Sequence, residues 1–252
     1  MSSNRLSFET LTVERIAGVL TVWLNRPELR NAINLQMCDE LCTLFEQLRF
    51  DGELDLVIIR GRGPAFCAGV DLKEFRAQSL DWMSKRRHRG LDAYLAVEGC
   101  PAPTLSVVHG AAVGGGSELA TACDFIYATS DASFQWPEAS RGGVGATQRL
   151  PRIVGRSLAR ELLFTGRRLA APQANSVGLV NRVFSEDKLQ EGLDELIREI
   201  AGASRGCIRL IKRAMDNGEC CDRPTAISIE RQAIEHSLHA FQRTEVGRQS
   251  LR

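Results

Sequence analysis

The 252-residue sequence predicts an α/β fold with ligand-binding loops at strand ends and an all-helical tail. Two strand candidates each run straight into a glycine-rich loop. Residues 54–60 lead into Gly61-Arg-Gly-Pro-Ala-Phe-Cys-Ala-Gly-Val-Asp71, and the apolar stretch with Leu105, Val107 and Val108 leads into the cluster Gly114 to Gly116. The order strand, glycine loop, helix thus occurs twice, which puts loops 61–71 and 109–117 on one side of the fold. Past Phe184 the alternation gives way to helices, so residues 1–184 read as the α/β core and 185–252 as a helical C-terminal region.

Taken in order, residues 11–15 and 19–25 alternate apolar and polar side chains around Ala17-Gly18, which is a hairpin pattern. After Pro27, Leu35, Cys38, Leu41, Cys42, Phe45 and Leu48 recur at helical spacing and predict an amphipathic helix over 35–50. Residues 54–60, Leu-Asp-Leu-Val-Ile-Ile-Arg, read as a compact buried strand. Residues 78–98 form a polar helix with the basic run Lys85-Arg-Arg-His-Arg89, read as a solvated face. Short strands follow at 125–128 and 133–135, the second ended by Trp136-Pro137-Glu138. From Gln148 the chain reads as helical with few breaks, apart from a late strand over 178–184, and three further helices are expected over 187–201, 204–216 and 224–241.

Bulk properties exclude several function classes. Lys and Arg total 32 against 31 Asp and Glu, a net charge of +1, so nothing global attracts nucleic acid or an anionic membrane, and neither is expected as a partner. The eight cysteines show no paired CxxC spacing and read as reduced thiols of a cytoplasmic protein. The first eleven residues lack signal-peptide and transit-peptide character, and no run of about 18 apolar residues is present to span a membrane.

The chemistry concentrates in two places. Three glycines at the start of the helix after 113 bring bare N–H groups close to a ligand oxygen, where the helix dipole favours negative charge. Glu118 lies in that first turn, where the dipole favours the carboxylate. Glu138 follows Phe134, Trp136 and Pro137, an apolar setting that favours the protonated acid. Two carboxyls pushed apart in proton affinity make an acid/base pair, although only the fold can bring them together. The N–H groups of Val70 and Gly115, one from each glycine loop, can converge on a carbonyl oxygen and stabilise an enolate.

Other motifs fail on their own terms. Gly115-Gly-Ser-Glu-Leu119 resembles a nucleophile elbow but has Leu119 where glycine is required. Gly143-Val-Gly145 lacks the third glycine of a dinucleotide fingerprint. His236 and His239, with Cys220 or Cys221, lack carboxylate partners at metal-binding spacing, so no metal is expected. His109 at a strand end reads as packed. The basic run 85–89 has no interleaved aromatics to stack on RNA bases.

Several motifs, in order, resemble the crotonase superfamily, the enoyl-CoA hydratase/isomerase family. They are Phe66-Cys-Ala-Gly-Val-Asp-Leu-Lys-Glu74, His109-Gly-Ala-Ala-Val-Gly-Gly-Gly-Ser-Glu-Leu-Ala120, Ala122-Cys-Asp-Phe-Ile-Tyr-Ala128 and Phe134-Gln-Trp-Pro-Glu138. Thr147-Gln-Arg-Leu-Pro-Arg152, Gly155-Arg-Ser-Leu-Ala159 and residues 174–180 continue the likeness, which covers nearly the whole chain. The resemblance implies a spiral of ββα turns with a helical C-terminal trimerisation region, assembled as a homotrimer or as a hexamer made of two trimers. It implies an acyl-CoA thioester as substrate and no cofactor beyond the coenzyme A carried by that substrate.

Position by position, the resemblance makes Val70 and Gly115 the amides of an oxyanion hole, and Glu118 and Glu138 the two glutamates of the hydratases. Glu118 would take a proton from the water that attacks the β-carbon, and Glu138 would deliver one to the α-carbon. Arg26, Arg30, Ala68, Asp71, Leu72, Lys73 and Gly114 fall where the family holds substrate and coenzyme A. Two departures stand out: Glu28 replaces a basic residue common after Arg26, with Arg30 as the substitute, and Ala139-Ser-Arg-Gly-Gly-Val-Gly-Ala146 is shorter than the family's loop and has no proline. A hydratase is the reading that follows from both glutamates. An enoyl-CoA isomerase or another enolate-stabilising member such as a decarboxylase is the alternative, with a catalytically weak binding or assembly subunit as the reading from another class.

Overall fold

A computed structural model of the chain describes residues 8–242. The first two strands, β1 (Leu11–Ile16) and β2 (Val19–Leu24), form the antiparallel hairpin that the alternation predicted, with Leu11 opposite Leu24. Four more strands extend it in parallel: β3 (Leu56–Gly61), β4 (Thr104–Val108), β6 (Phe125–Thr129) and β9 (Arg182–Phe184), in the order β1-β2-β3-β4-β6-β9. A second, three-stranded sheet pairs β5 (Ala111–Val113) with β7 (Ser133–Gln135), and β7 with β8 (Leu169–Ala170). An isolated bridge between Cys67 and Ala112 continues this second sheet into the 61–71 loop.

The strand β3 reads as a continuous apolar run because both of its faces are buried. Val57 and Ile59 point into the main core, with Met37, Leu41 and Phe45 of α1 (Leu35–Leu48). Leu56 and Ile58 point the other way, with Leu105 and Val107, onto Leu189 and Leu193 of α7 (Leu189–Ala201). Each such fully buried aliphatic side chain contributes about 1.5–3 kcal/mol of transfer free energy. Asn34 caps α1, its side chain accepting from Met37 N at 3.0 Å.

The remaining helices are α2 (Leu80–Glu98), α3 (Gly115–Thr121), α4 (Arg149–Val154), α5 (Arg156–Thr165), α6 (Ala171–Ser176), α8 (Arg205–Glu219) and α9 (Arg223–Gln242). No described helix is long and apolar enough to cross a membrane.

The structure corrects the sequence reading at three points. The late strand is confined to 182–184, because Asn175 Nδ2 donates to Val180 O and Asn181 exchanges hydrogen bonds with Ile126, holding 178–181 as a loop. The strands β5 and β8 were not predicted: they are three and two residues long and exist through long-range pairing, β8 with β7 and β5 with β7 and Cys67. The basic run 85–89 is not a uniformly solvated face. Arg86 is buried, with Nε on Glu74 at 3.0 Å and an Nη donating to Ile33 O at 2.6 Å, so α2 clamps the segment that leads into α1.

Candidate active site

Parallel pairing of β3 with β4 delivers both glycine loops to one edge, where they are sewn together. Phe66 N donates to His109 O at 2.9 Å, Cys67 N to Ala111 O at 3.1 Å, and Val113 N to Cys67 O at 3.0 Å. Asn31, fully buried, fixes the first loop: its Nδ2 donates to Arg62 O, Ala65 O and Phe66 O. Ile33 N donates to Gly69 O and Asp71 N to Ile33 O, which leaves the intervening Val70 N–H turned away from that bridge. Neither Val70 N nor Gly115 N has an acceptor among the described residues. They are neighbours, since a Cβ on Gly115 would lie 3.5 Å from Val70 N.

The two glutamates, about twenty positions apart in sequence, meet across the loop that follows β7. Gly114 has φ +51°, and a Cβ there would strike Glu138 Oε1 at 2.6 Å. Gly145 lies between the two acids: a Cβ on it would sit 2.5 Å from Glu118 Oε1 and 3.5 Å from Glu138 Cγ. The next residue, Ala146, adopts the left-handed region at φ 55° and donates its N–H to Glu118 Oε2 at 3.0 Å.

Burial pushes the Glu118 carboxyl above its ordinary range, the Ala146 N–H opposes that, and the charge of Glu138 adds to it. Burial likewise raises Glu138, opposed by Arg87 and Arg141. The dipole argument predicted an ionised Glu118 on its helix position alone. Desolvation works against that preference, because α3 has only seven residues, all buried, so the carboxyl binds its proton more tightly than an exposed glutamate.

Two cavities flank the pair. One, of about 350 Å³, has Val70, Tyr94, Glu118, Ala146 and Arg149 in its wall, and the other, of about 120 Å³, has Ala68, Leu72, Gly114, Gly115 and Glu138. Val70 and Arg87 belong to both, so the free amide lies at their junction. Arg87 reaches over from α2 and donates to Val144 O at 2.5 Å, tying the short loop to the helix.

Of the residues assigned to coenzyme A, Ala68 and Leu72 border the smaller cavity, and Leu72, Lys73 and Arg30 are exposed. Arg26 and Asp71 are engaged with each other: Arg26 Nη1 lies 3.1 Å from Asp71 Oδ2, and Asp71 also caps the short turn at 72–75 through Lys73 N. Their side chains brace the Val70 loop. Sequence reasoning missed Asn31, Tyr94 and the loop residues Gly145 and Ala146. Gly145 and Ala146 carried a signal as part of the 139–146 segment singled out in the sequence, whereas Tyr94 lies eight positions after Arg86 and four after Gly90 on a face of α2 that only the structure shows to be buried. Among the described residues no group of three His, Cys, Asp or Glu is arranged to hold a metal.

A carboxyl pair, Glu118 buried and Glu138 half-buried, beside two free amides on a ββα spiral, defines an acid/base site that can hold a negatively charged oxygen. The sequence model of the enoyl-CoA hydratase/isomerase family matches residues 14–250, and the chain belongs to that family, within the crotonase superfamily. It is 34% identical to a crotonyl-CoA hydratase of Syntrophomonas wolfei, over 91% of this chain and 90% of the relative. It is 40% identical to the Bos taurus mitochondrial enoyl-CoA hydratase domain-containing protein 2, over 90% of this chain and 80% of the relative. Among solved structures, the enoyl-CoA hydratase of Bacillus anthracis superposes with a TM-score of 0.88 at 34% identity, covering 92% of both chains.

Proposed function

We propose that this protein is an enoyl-CoA hydratase that adds water reversibly across the double bond of an α,β-unsaturated acyl-CoA. The observation that carries the reading is the convergence of Glu118 and Glu138 on Gly145, beside the unpaired amides of Val70 and Gly115. The amides form the oxyanion hole for the thioester carbonyl. Glu118 takes a proton from water as its oxygen bonds the β-carbon, the π electrons move onto the carbonyl oxygen, and Glu138 gives its proton to the α-carbon as the enolate collapses. A hydratase needs both acids, and both are here. The coenzyme A moiety lies along Ala68, Leu72, Lys73 and Arg30, with Gly114 at the thioester and with Arg26 and Asp71 supporting the loop. No cofactor takes part beyond that moiety.

The helices after Phe184 serve assembly. Ile211, Met215 and Ile234 of α8 and α9 are 58%, 70% and 49% exposed and border an apolar groove of about 600 Å³, and Leu238 of α9 is a further apolar side chain 50% exposed. Copies of this chain cover that face in a homotrimer or in a hexamer made of two trimers. The eight free cysteines support a reducing, cytoplasmic setting.

Hydration of crotonyl-CoA, followed as loss of the conjugated thioester absorbance, tests the proposal. Parent protein should turn over, and Glu118→Gln and Glu138→Gln should each lose about 10²–10⁴-fold in kcat. Inert parent protein on short and medium enoyl-CoAs refutes the hydratase, and active variants refute the site.

A further inference from the structure

Tyr94 is the largest polar side chain at the site to which the proposed mechanism gives no role. It projects from the inward face of α2, in line with Arg86, Gly90 and Val97, and is only 5% exposed. Its hydroxyl has no hydrogen-bond partner among the described residues, and the residue lines the 350 Å³ cavity that also holds Glu118 and Val70. The hydroxyl thus lies on the wall of this cavity with no protein partner, where an acceptor atom of a ligand in the cavity can complete it.

The place of that oxygen is well defined. A Cβ added to Gly115 would lie 2.5 Å from Tyr94 Oη, 3.1 Å from Val70 Cγ2 and 3.5 Å from Val70 N. The hydroxyl therefore fills the volume beside Gly115 that any other residue there would occupy, next to the two free amides. Burial, reinforced by the charge of Glu118, holds the Tyr94 pKa well above its ordinary value, so the oxygen keeps its proton and donates.

We propose that Tyr94 donates a hydrogen bond to the carbonyl oxygen of the bound acyl thioester, as a third donor beside the Val70 and Gly115 amides. The inference rests on the acyl-thioester reading of this site but not on hydration. A phenolic donor held by a helix costs no reorganisation when negative charge develops on the oxygen, so its contribution grows from ground state to transition state.

The test is Tyr94→Phe, which keeps the ring and deletes the donor. Two readouts are needed. In the first, a saturated thioester, butyryl-CoA labelled with ¹³C at the carbonyl, is bound to parent and variant, and the carbonyl stretch is read by difference infrared. The stretch should be lowered on binding and should move back toward the free value in Tyr94→Phe, with butyryl-CoA affinity changed by less than about threefold. In the second, kcat on crotonyl-CoA should fall about 10²-fold. An unchanged stretch overturns the proposal even if kcat falls, since the phenol then acts elsewhere. Parent protein that shifts the carbonyl through Tyr94 yet hydrates nothing refutes the hydratase and leaves this inference standing. Failure of butyryl-CoA to bind refutes the acyl-thioester reading, and the inference with it.

Discussion

Gly145→Ala separates a working carboxylate from a merely packed one. A methyl group at Gly145 would lie 2.5 Å from Glu118 Oε1 and 3.4 Å from its Cδ. Restoring van der Waals contact requires that oxygen to retreat by roughly 1 Å. The obstructing atom is the tip of a flexible side chain, and Gly145 is not in the left-handed region, so alanine fits its backbone. Overpacking at the lower end of its range costs about 1 kcal/mol, and removing a glycine from the unfolded chain returns about 0.4–1 kcal/mol. Stability should therefore hardly change. Catalysis should not escape, because a 1 Å displacement of a positioned group costs about 10²-fold. Thermal unfolding and kcat/KM on crotonyl-CoA, measured on the same preparation, check both halves. Equal loss of stability and activity would mean that the loop is only structural, and no loss of activity would mean that Glu118 does not act from the position described.

Two further perturbations follow from the same geometry. Both site carboxyls bind protons more tightly folded than unfolded, so their contribution to stability is present below the ordinary glutamate pKa of 4.5 and is lost as pH rises through the raised folded values. Glu118→Gln and Glu138→Gln should each unfold at a higher temperature than the parent at neutral pH and show a smaller fall in Tm between acid and neutral pH; a steeper fall would contradict the buried placement. If the proposed homo-oligomer forms through α8, Ile211→Asp or Met215→Asp, at 58% and 70% exposed positions, should sediment as monomer where the parent sediments as trimer or hexamer, with helix content intact; an equal mass for parent and variant would remove α8 from the interface.

The elements legible in the sequence are those whose own residues determine them. The α1 stripe, the β1–β2 alternation and the doubly buried β3 can each be read within a window of one element. What was hidden depends on partners far along the chain. The strand β5, Ala-Ala-Val, has no intrinsic signal and exists because β7 pairs with it. Arg86 looks like its neighbours at 85 and 87, and only the position of Ile33 O and Glu74 decides that it is buried. The glutamates were visible as residues, but their meeting point at Gly145 lies in the 139–146 loop, whose path only the fold decides. This loop keeps the pair together by two local devices, the left-handed Ala146 that aims an N–H at Glu118 and the Arg87 tie to Val144 O.

Arg87 also bears on where the resting proton lies. Glu118 Oε2 accepts from Ala146, whereas Glu138 Oε2 is buried with no hydrogen-bond partner. Glu118 is therefore the better-satisfied carboxylate of the two, and Glu138 the one whose surroundings favour holding a proton. That is the base and acid assignment hydration requires, and it predicts a bell-shaped kcat/KM profile whose two limbs belong to the pair as a unit. Arg87 lowers the proton affinity of both acids. Replacing it by methionine should move both limbs to higher pH, whereas Arg87→Lys, which keeps the charge, should leave them nearly in place. Limbs that stay fixed in Arg87→Met, or that move to lower pH, would show that Arg87 does not face the pair.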